Sequence, residues 1–305
     1  MIRFERVFCP IDLTADSDAA LGYAIRLAQA YNAKLYLCHC VDLFVDATER
    51  ERLRLKFEEL IRRYTVTDQI IPAECEGIII EGDPATAIPK AAAERQVDLI
   101  VMRSRRRPMA AALLGSTAEA ICRTAPCPVL VMHPDEREWF GESSDNIRLR
   151  RILVAQDFSN DSSLAVKYAL LLAQEYQAEL HLIHVLPVTL ASGLTSLTPE
   201  IENDFQRAAR MLQQSVPEEA HLWSKITHAV KAGQPYREIL AYAEEHEIDL
   251  ICLGVHGAGF TMRALFGSNA DRVLRQAQCP VLIARPLKPA TMVTVTEVIR
   301  QEVTK

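Results

Sequence analysis

No apolar run in this sequence approaches the roughly 18 residues that a membrane-spanning helix needs. The first dozen residues hold Arg3, Glu5 and Arg6 and no apolar leader core, so no signal peptide is expected. Positive charge is not in excess either. A formal net charge of −6 over 305 residues gives no support to a nucleic-acid or anionic-membrane surface. The eight cysteines lack the spacing of a small disulfide scaffold and read as reduced thiols of a cytoplasmic protein. What remains is a chain 49% apolar and 24% charged. That is globular rather than disordered, and long enough for two domains with a core each.

The chain repeats itself. Arg6–Val41 aligns with Arg151–Leu186 at a shift of 145 residues, with Asp12/Asp157, Ser17/Ser162, Tyr23/Tyr168, Gln29/Gln174 and His39/His184 identical. The match resumes at Gly82-Asp83-Pro84 against Gly233-Gln234-Pro235, and at Asp98-Leu99-Ile100 against Asp249-Leu250-Ile251. It closes with Gly115-Ser116 against Gly267-Ser268 and with Cys-Pro-Val-Leu at 127–130 and 279–282. A period of this size is domain duplication, not a solenoid.

Each half alternates strand and helix. In the first, 7–11, 34–41, 73–80, 99–102 and 129–132 are strand-like. Helical spacing marks 17–31, 48–64 (with Leu53, Phe57, Leu60 and Ile61 on one face), 84–95 with Pro in its first turn, and 116–124. Near-continuous apolar strands imply sheets covered on both faces, and alternating βα units imply a parallel, doubly wound α/β fold. Ligands on such sheets sit at the carboxyl ends of the strands. The stretch 133–150 is polar and turn-forming and reads as a linker.

The most informative motif is in the second half. After the apolar run Leu250-Ile251-Cys252-Leu253 come Gly254 and Gly257, a nine-residue spacer, then Gly267-Ser268. This G-x2-G-x9-G-S pattern lies between a strand and a helix. Glycine permits close backbone approach and positive φ, and a helix start adds N–H groups and a positive dipole end. It reads as a nucleotide-phosphate loop. Ser268-x-x-Asp271 also fits a helix capping box, and a cap leaves other N–H groups free. Asp157, at the tip of the first strand, is either a ligand contact or a loop cap. His256 reads as positioned by its backbone rather than as an acid or base, since no nucleophile pattern accompanies it.

These residues resemble the universal stress protein family in its tandem form, over about residues 1–287. The resemblance rests on the first-strand Asp, the His ending the second strand, the glycine loop and the closing Cys-Pro-Val-Leu strand. It implies two five-stranded sheets of order 3-2-1-4-5 (adenine nucleotide alpha hydrolase-like) and a stress-response protein that binds ATP, with or without Mg²⁺. It also implies dimerisation through the last strand, so the two closing strands are expected to meet within the chain. Carried over by position, Ala155, Gln156 and Asp157 would line adenine and ribose, and Val185 would pack on the base. Leu253, Gly254, His256, Gly257, Gly267, Ser268 and Asn269 would hold ribose and phosphates. The expected divisions are 1–135, a linker at 136–150, 151–287, and a tail at 288–305.

The first half departs from the pattern, reading Met102-Arg103-Ser104-Arg105-Arg106-Arg107 where the second has its glycines. Nucleotide binding of the family type is not expected there. The arginines read as a solvated or interface loop, or as capture of another anion. Cys38-His39-Cys40 has metal-type residues, but strand alternation places the cysteines opposite the histidine, which argues against zinc. Three functions stay open: a nucleotide-binding regulator, a slow ATPase or phosphoryl- or adenylyl-transfer enzyme, and a nucleotide-free scaffold. A G-x4-G-K-[ST] loop is absent, and the regulator is favoured.

Overall fold

Ten strands and eight α-helices alternate in a computed structural model that describes residues 4–13, 18–41, 45–67, 74–104, 116–133, 139, 147–187, 199–255 and 267–286. The first half runs β1 (Arg6–Pro10), α1 (Asp18–Ala30), β2 (Lys34–Val41), α2 (Ala47–Thr67), β3 (Glu74–Glu81), α3 (Pro84–Glu94), β4 (Leu99–Arg103), α4 (Ser116–Thr124) and β5 (Val129–Met132). The second runs β6 (Arg151–Ala155), α5 (Asn160–Tyr176), β7 (Glu179–Pro187), α6 (Pro199–Gln214), β8 (Ile226–Gly233), α7 (Pro235–Glu245), β9 (Leu250–Gly254), α8 (Ser268–Gln276) and β10 (Val281–Ala284). Among the described residues, no helix is long and apolar enough to cross a membrane.

Each half has the expected parallel order, but the two sheets are not separate. They form one ten-stranded sheet, β3-β2-β1-β4-β5-β10-β9-β6-β7-β8. The join is antiparallel, with Val281 opposite Val131, Leu282 opposite Leu130 and Ile283 opposite Val129. Both strands are fully buried apolar runs, so each satisfies the other's open edge. The expected meeting of the closing strands is found.

Alternation along the strands divides the core into two layers. Leu35, Leu37, Ile152 and Val154 face the layer under α1 and α5. Tyr36, Cys38, Leu153 and Ile183 face the layer that includes Ile88 of α3, Ile121 of α4, Ile239 of α7 and Val273 of α8. The outermost strands are exceptions to the covered-sheet expectation: in β3 only Ile78 is buried, and β8 is partly exposed throughout. They lie at the two ends of the sheet, where one backbone edge has no neighbouring strand among the described residues.

The duplication also has a structural signature at the amino ends. Asp98 accepts the N–H groups of Glu5 and Arg6, each at 2.9 Å, and Asp249 accepts those of Arg150 and Arg151 at the same distance. Each aspartate thus pins the start of a half's first strand to its fourth. At the opposite ends of β3 and β8, Gly82 and Gly233 have φ of +113° and +154°, which turns the chain sharply into the prolines that open α3 and α7.

The linker is less polar in role than in composition. Trp139 is buried, its ring 5.1 Å from Tyr23 in an edge-on arrangement, and its indole N–H donates to the Asp249 carbonyl at 2.9 Å. One large apolar side chain therefore bridges the two halves.

Candidate functional site

At the carboxyl edge of the second half, β6 and β9 run side by side while α5 and α8 begin. β6 ends on half-buried Ala155, and Gln156 follows, 3% exposed. The Gln156 amide oxygen accepts the Phe158 N–H at 2.9 Å and the Ser162 hydroxyl. Its backbone carbonyl accepts Nδ1–H of His184 at 2.7 Å. The imidazole then packs 4.6 Å from the Phe158 ring, and Phe158 has a left-handed φ of 64°, a conformation costly for an aromatic residue. The first half repeats this turn: His39 Nδ1 lies 2.9 Å from the Ile11 carbonyl, and Leu13 has φ 59°. The histidine ending each half's second strand is therefore a latch on the loop that leaves the first strand.

Asp157 sits inside that loop. Its Oδ1 accepts the Ser159 N–H at 3.1 Å and the Ser159 hydroxyl at 2.6 Å. Ser159 in turn caps α5 by accepting the Ser162 N–H at 3.2 Å. The capping role weighed for Asp157 is thus present. Asp157-x-Ser159-x-x-Ser162 before an apolar helix is an Asx-turn and N-cap signature in the sequence itself.

Gly254 ends β9 against the first turn of α5. A Cβ there would lie 2.7 Å from Asp161 C and Ser162 N, so the missing side chain permits close packing of strand on helix. Neither Gly254 nor Gly267 uses positive φ; Gly267 has φ −65°. Positive φ is therefore not the reason for glycine at these two positions. In the first half Arg103 stands at the position equivalent to Gly254, each being the last residue of its strand.

The chain beyond Gly254 closes where the Gly267 N–H donates to the Val255 carbonyl at 3.0 Å. Here the capping-box expectation fails. Gly267 is the N-cap of α8 with no side-chain bond, and Ser268 is the first helical residue. Asp271 instead pairs with Arg275 at 2.8 Å. The exposed Ser268 and Asn269 therefore flank a helix start without a side-chain cap, where first-turn N–H groups and the dipole favour an anion.

Val185 and Leu253 are 8% and 4% exposed and belong to the core layer beneath α7 and α8. Each presents little more than an edge to the outside. His256 and Gly257 lie outside the described residues, as do Gly115 and Arg105 to Arg107. Ala155, Gln156, Asp157, Gly254, Gly267, Ser268 and Asn269 are carried to the same edge of the half by β6, β9 and α8.

Comparison with known proteins agrees with this architecture. A profile of the universal stress protein family matches residues 3–133 and 148–285. A universal stress protein of Mycolicibacterium smegmatis is 26% identical over 290 residues, covering 90% of this chain and 95% of that one. One from Methanocaldococcus jannaschii is 32% identical over 146 residues, 46% of this chain and 84% of its own. The crystal structure of a universal stress protein from Archaeoglobus fulgidus overlays with a TM-score of 0.64 at 23% identity, covering 92% of this chain and 98% of that one.

Proposed function

This chain belongs to the universal stress protein family, and we propose that its second half binds one adenine nucleotide, ATP, in a cytoplasmic stress response. Nucleotide occupancy would then control contacts between the halves or with protein partners. The observation that carries the reading is the α8 start. An N-cap glycine and two exposed polar residues follow a loop closed by Gly267 on Val255, beside the Asp157 turn. The phosphates would meet Gly254, His256, Gly257, Gly267, Ser268 and Asn269. Adenine and ribose would meet Ala155, Gln156, Asp157 and the exposed edges of Val185 and Leu253. Mg²⁺ would enter with the phosphates rather than in a dedicated protein cage.

Binding is favoured over turnover because the arginines of α8 are engaged elsewhere. Arg272 lies 4.7 Å over the Tyr236 ring, and Arg275 pairs with Asp271 and Glu119. Phosphoryl transfer leans on cationic groups aimed at the phosphates. A homodimer of chains would have to form away from β5 and β10, since both lie inside the sheet.

Titration of the full chain with ATP in a calorimeter tests the reading: one site per chain is expected. Two equivalent sites would refute the asymmetry. No binding, together with no nucleotide released from freshly purified protein in mass analysis, would refute the function.

A further inference from the structure

At the end of α8 opposite the proposed phosphate site, α7, β9 and the turn from α8 to β10 border a cavity of about 230 Å³. Its wall is apolar: Ala243 of α7, Ile248, Ile251 of β9 and Cys279 are all buried. Its mouth is polar. Glu244 and Glu247 stand on one side, Gln276 and Gln278 on the other, and all four are exposed.

The duplication sets this mouth apart. At the equivalent positions the first half has Ala93 for Glu244, Gln96 for Glu247, Thr124 for Gln276 and Pro126 for Gln278. Both carboxylates are thus particular to the second half. The backbone is not, because Glu247 and Gln96 have left-handed φ of 47° and 52°. The same turn ends both helices, and only its charge differs.

We propose that this cavity binds a small aliphatic amine as its ammonium ion, with the hydrocarbon inward and the charge at the mouth. Being at the opposite end of α8, the site is independent of the nucleotide one. Two carboxylates favour positive charge there, and α7 and α8 both bring their C-terminal, negative dipole ends to it. The chain's own cations leave that field largely in place. Arg151 takes Glu247 at 3.1 Å, but Glu244 forms no side-chain ion pair among the described residues. Arg275 of α8 is turned to Asp271 and Glu119, and Arg272 to Tyr236.

The wall decides the class of cation. A bare ion such as Ca²⁺ takes six to eight oxygens, and among the described residues no group of three or more His, Cys, Asp or Glu is arranged for a metal. Aliphatic walls offer such an ion nothing, but they favour methylene groups withdrawn from water. The side-chain carbonyls of Gln276 and Gln278 can accept ammonium N–H groups that the carboxylates leave over. At about 230 Å³ the space is below the roughly 300–1,000 Å³ of drug-sized pockets, which suits a short chain.

The test is saturation-transfer NMR titration of the full chain with 1,4-diaminobutane, with 1,4-butanediol as the uncharged counterpart. The diamine should bind saturably and the diol far more weakly. The double variant Glu244→Ala, Glu247→Gln installs the first half's own residues. It should weaken the diamine about tenfold, the combined worth of two exposed ion pairs, and an unfolding scan of the same preparation checks that it is folded. Leu240→Trp fills the cavity from the α7 side and should also cut binding while both carboxylates remain. Glu219→Ala removes an exposed carboxylate elsewhere and should leave affinity unchanged. No saturable binding to the wild-type chain, equal binding of the diol, undiminished binding in the double variant or in Leu240→Trp, or an equal loss in Glu219→Ala would overturn the proposal.

Discussion

His133 and Arg285 are equivalent residues, one following β5 and the other β10, and each caps the last helix of the opposite half. His133 Nε2 reaches the Leu274 carbonyl in the final turn of α8, while Arg285 donates to the Arg123 and Ala125 carbonyls at the end of α4. Between them Arg275 of α8 pairs with Glu119 of α4 at 3.0 Å. The antiparallel strand join is thus flanked by reciprocal helix caps, where donors and cations satisfy orphan carbonyls and the negative dipole end. α8 begins at the proposed phosphate site and ends on His133, so under the proposed function it is the element through which nucleotide occupancy would reach the first half.

Arg285→Ala should therefore destabilise the chain. It strips two carbonyls at the end of α4 of their donor and should cost about 1–3 kcal/mol. Denaturant unfolding measures this, and a loss indistinguishable from zero would show that water replaces the guanidinium without penalty.

Gly254→Ala should destabilise by about 1–3 kcal/mol as well, through overpacking. The added methyl meets the backbone of Asp161 and Ser162, which cannot move aside as a flexible side chain would. Since α5 must shift, nucleotide affinity should fall together with stability. An unfolding midpoint equal to that of the parent chain would remove Gly254's packing role.

Replacing Ser268 and Asn269 together by glutamate should separate binding from folding. Carboxylates in the first turn of α8 complement its dipole and should add about 0.3–1 kcal/mol of stability. The same charges would repel phosphates, so ATP affinity should drop at least about tenfold. Calorimetric titration and thermal unfolding of one preparation give both signs. Unchanged affinity would place the phosphates elsewhere.

Stability should fall with acid through His181. Burial, with His246 beside it, lowers the His181 pKa from its ordinary 6.5, against the opposing pull of Glu179. The neutral ring sits 2.9 Å from the Tyr242 hydroxyl. A group depressed in the folded state contributes its stability above the unfolded pKa, and loses it as pH falls below that value. Unfolding free energy should hold steady above about pH 7 and decline below pH 6.5. His181→Gln should reduce the slope, leaving the part due to His228, which burial shifts in the same direction. An equal slope in the variant would assign the acid sensitivity to other groups.

The duplication, the βα alternation and the parallel halves were legible in the sequence because local periodicity carries them. Leu53 and Phe57 are buried as their helical spacing indicates, and β5 and β10 are the apolar runs expected. That Gly254, Gly267 and Asp157 come to one carboxyl edge of the second half was legible too, since glycine spacing and strand ends are local features. The reasons for individual residues were less so. Gly254 is glycine because α5, more than ninety residues earlier in the chain, packs on it. Ser268 looked like a cap, but the N-cap lies one residue earlier, at Gly267, whose N–H bonds the Val255 carbonyl, and Ser268 is the first helical residue. Trp139 lies in a polar stretch, yet it fills a gap between Tyr23 and Asp249 that exists only once both halves have folded. The single ten-stranded sheet and its crossed helix caps join residues about 140 to 160 positions apart. Composition and short-range pattern decide which segments become strands and helices. Which surfaces meet is decided by long-range packing of buried edges and orphan backbone groups, and that is settled only in the tertiary structure.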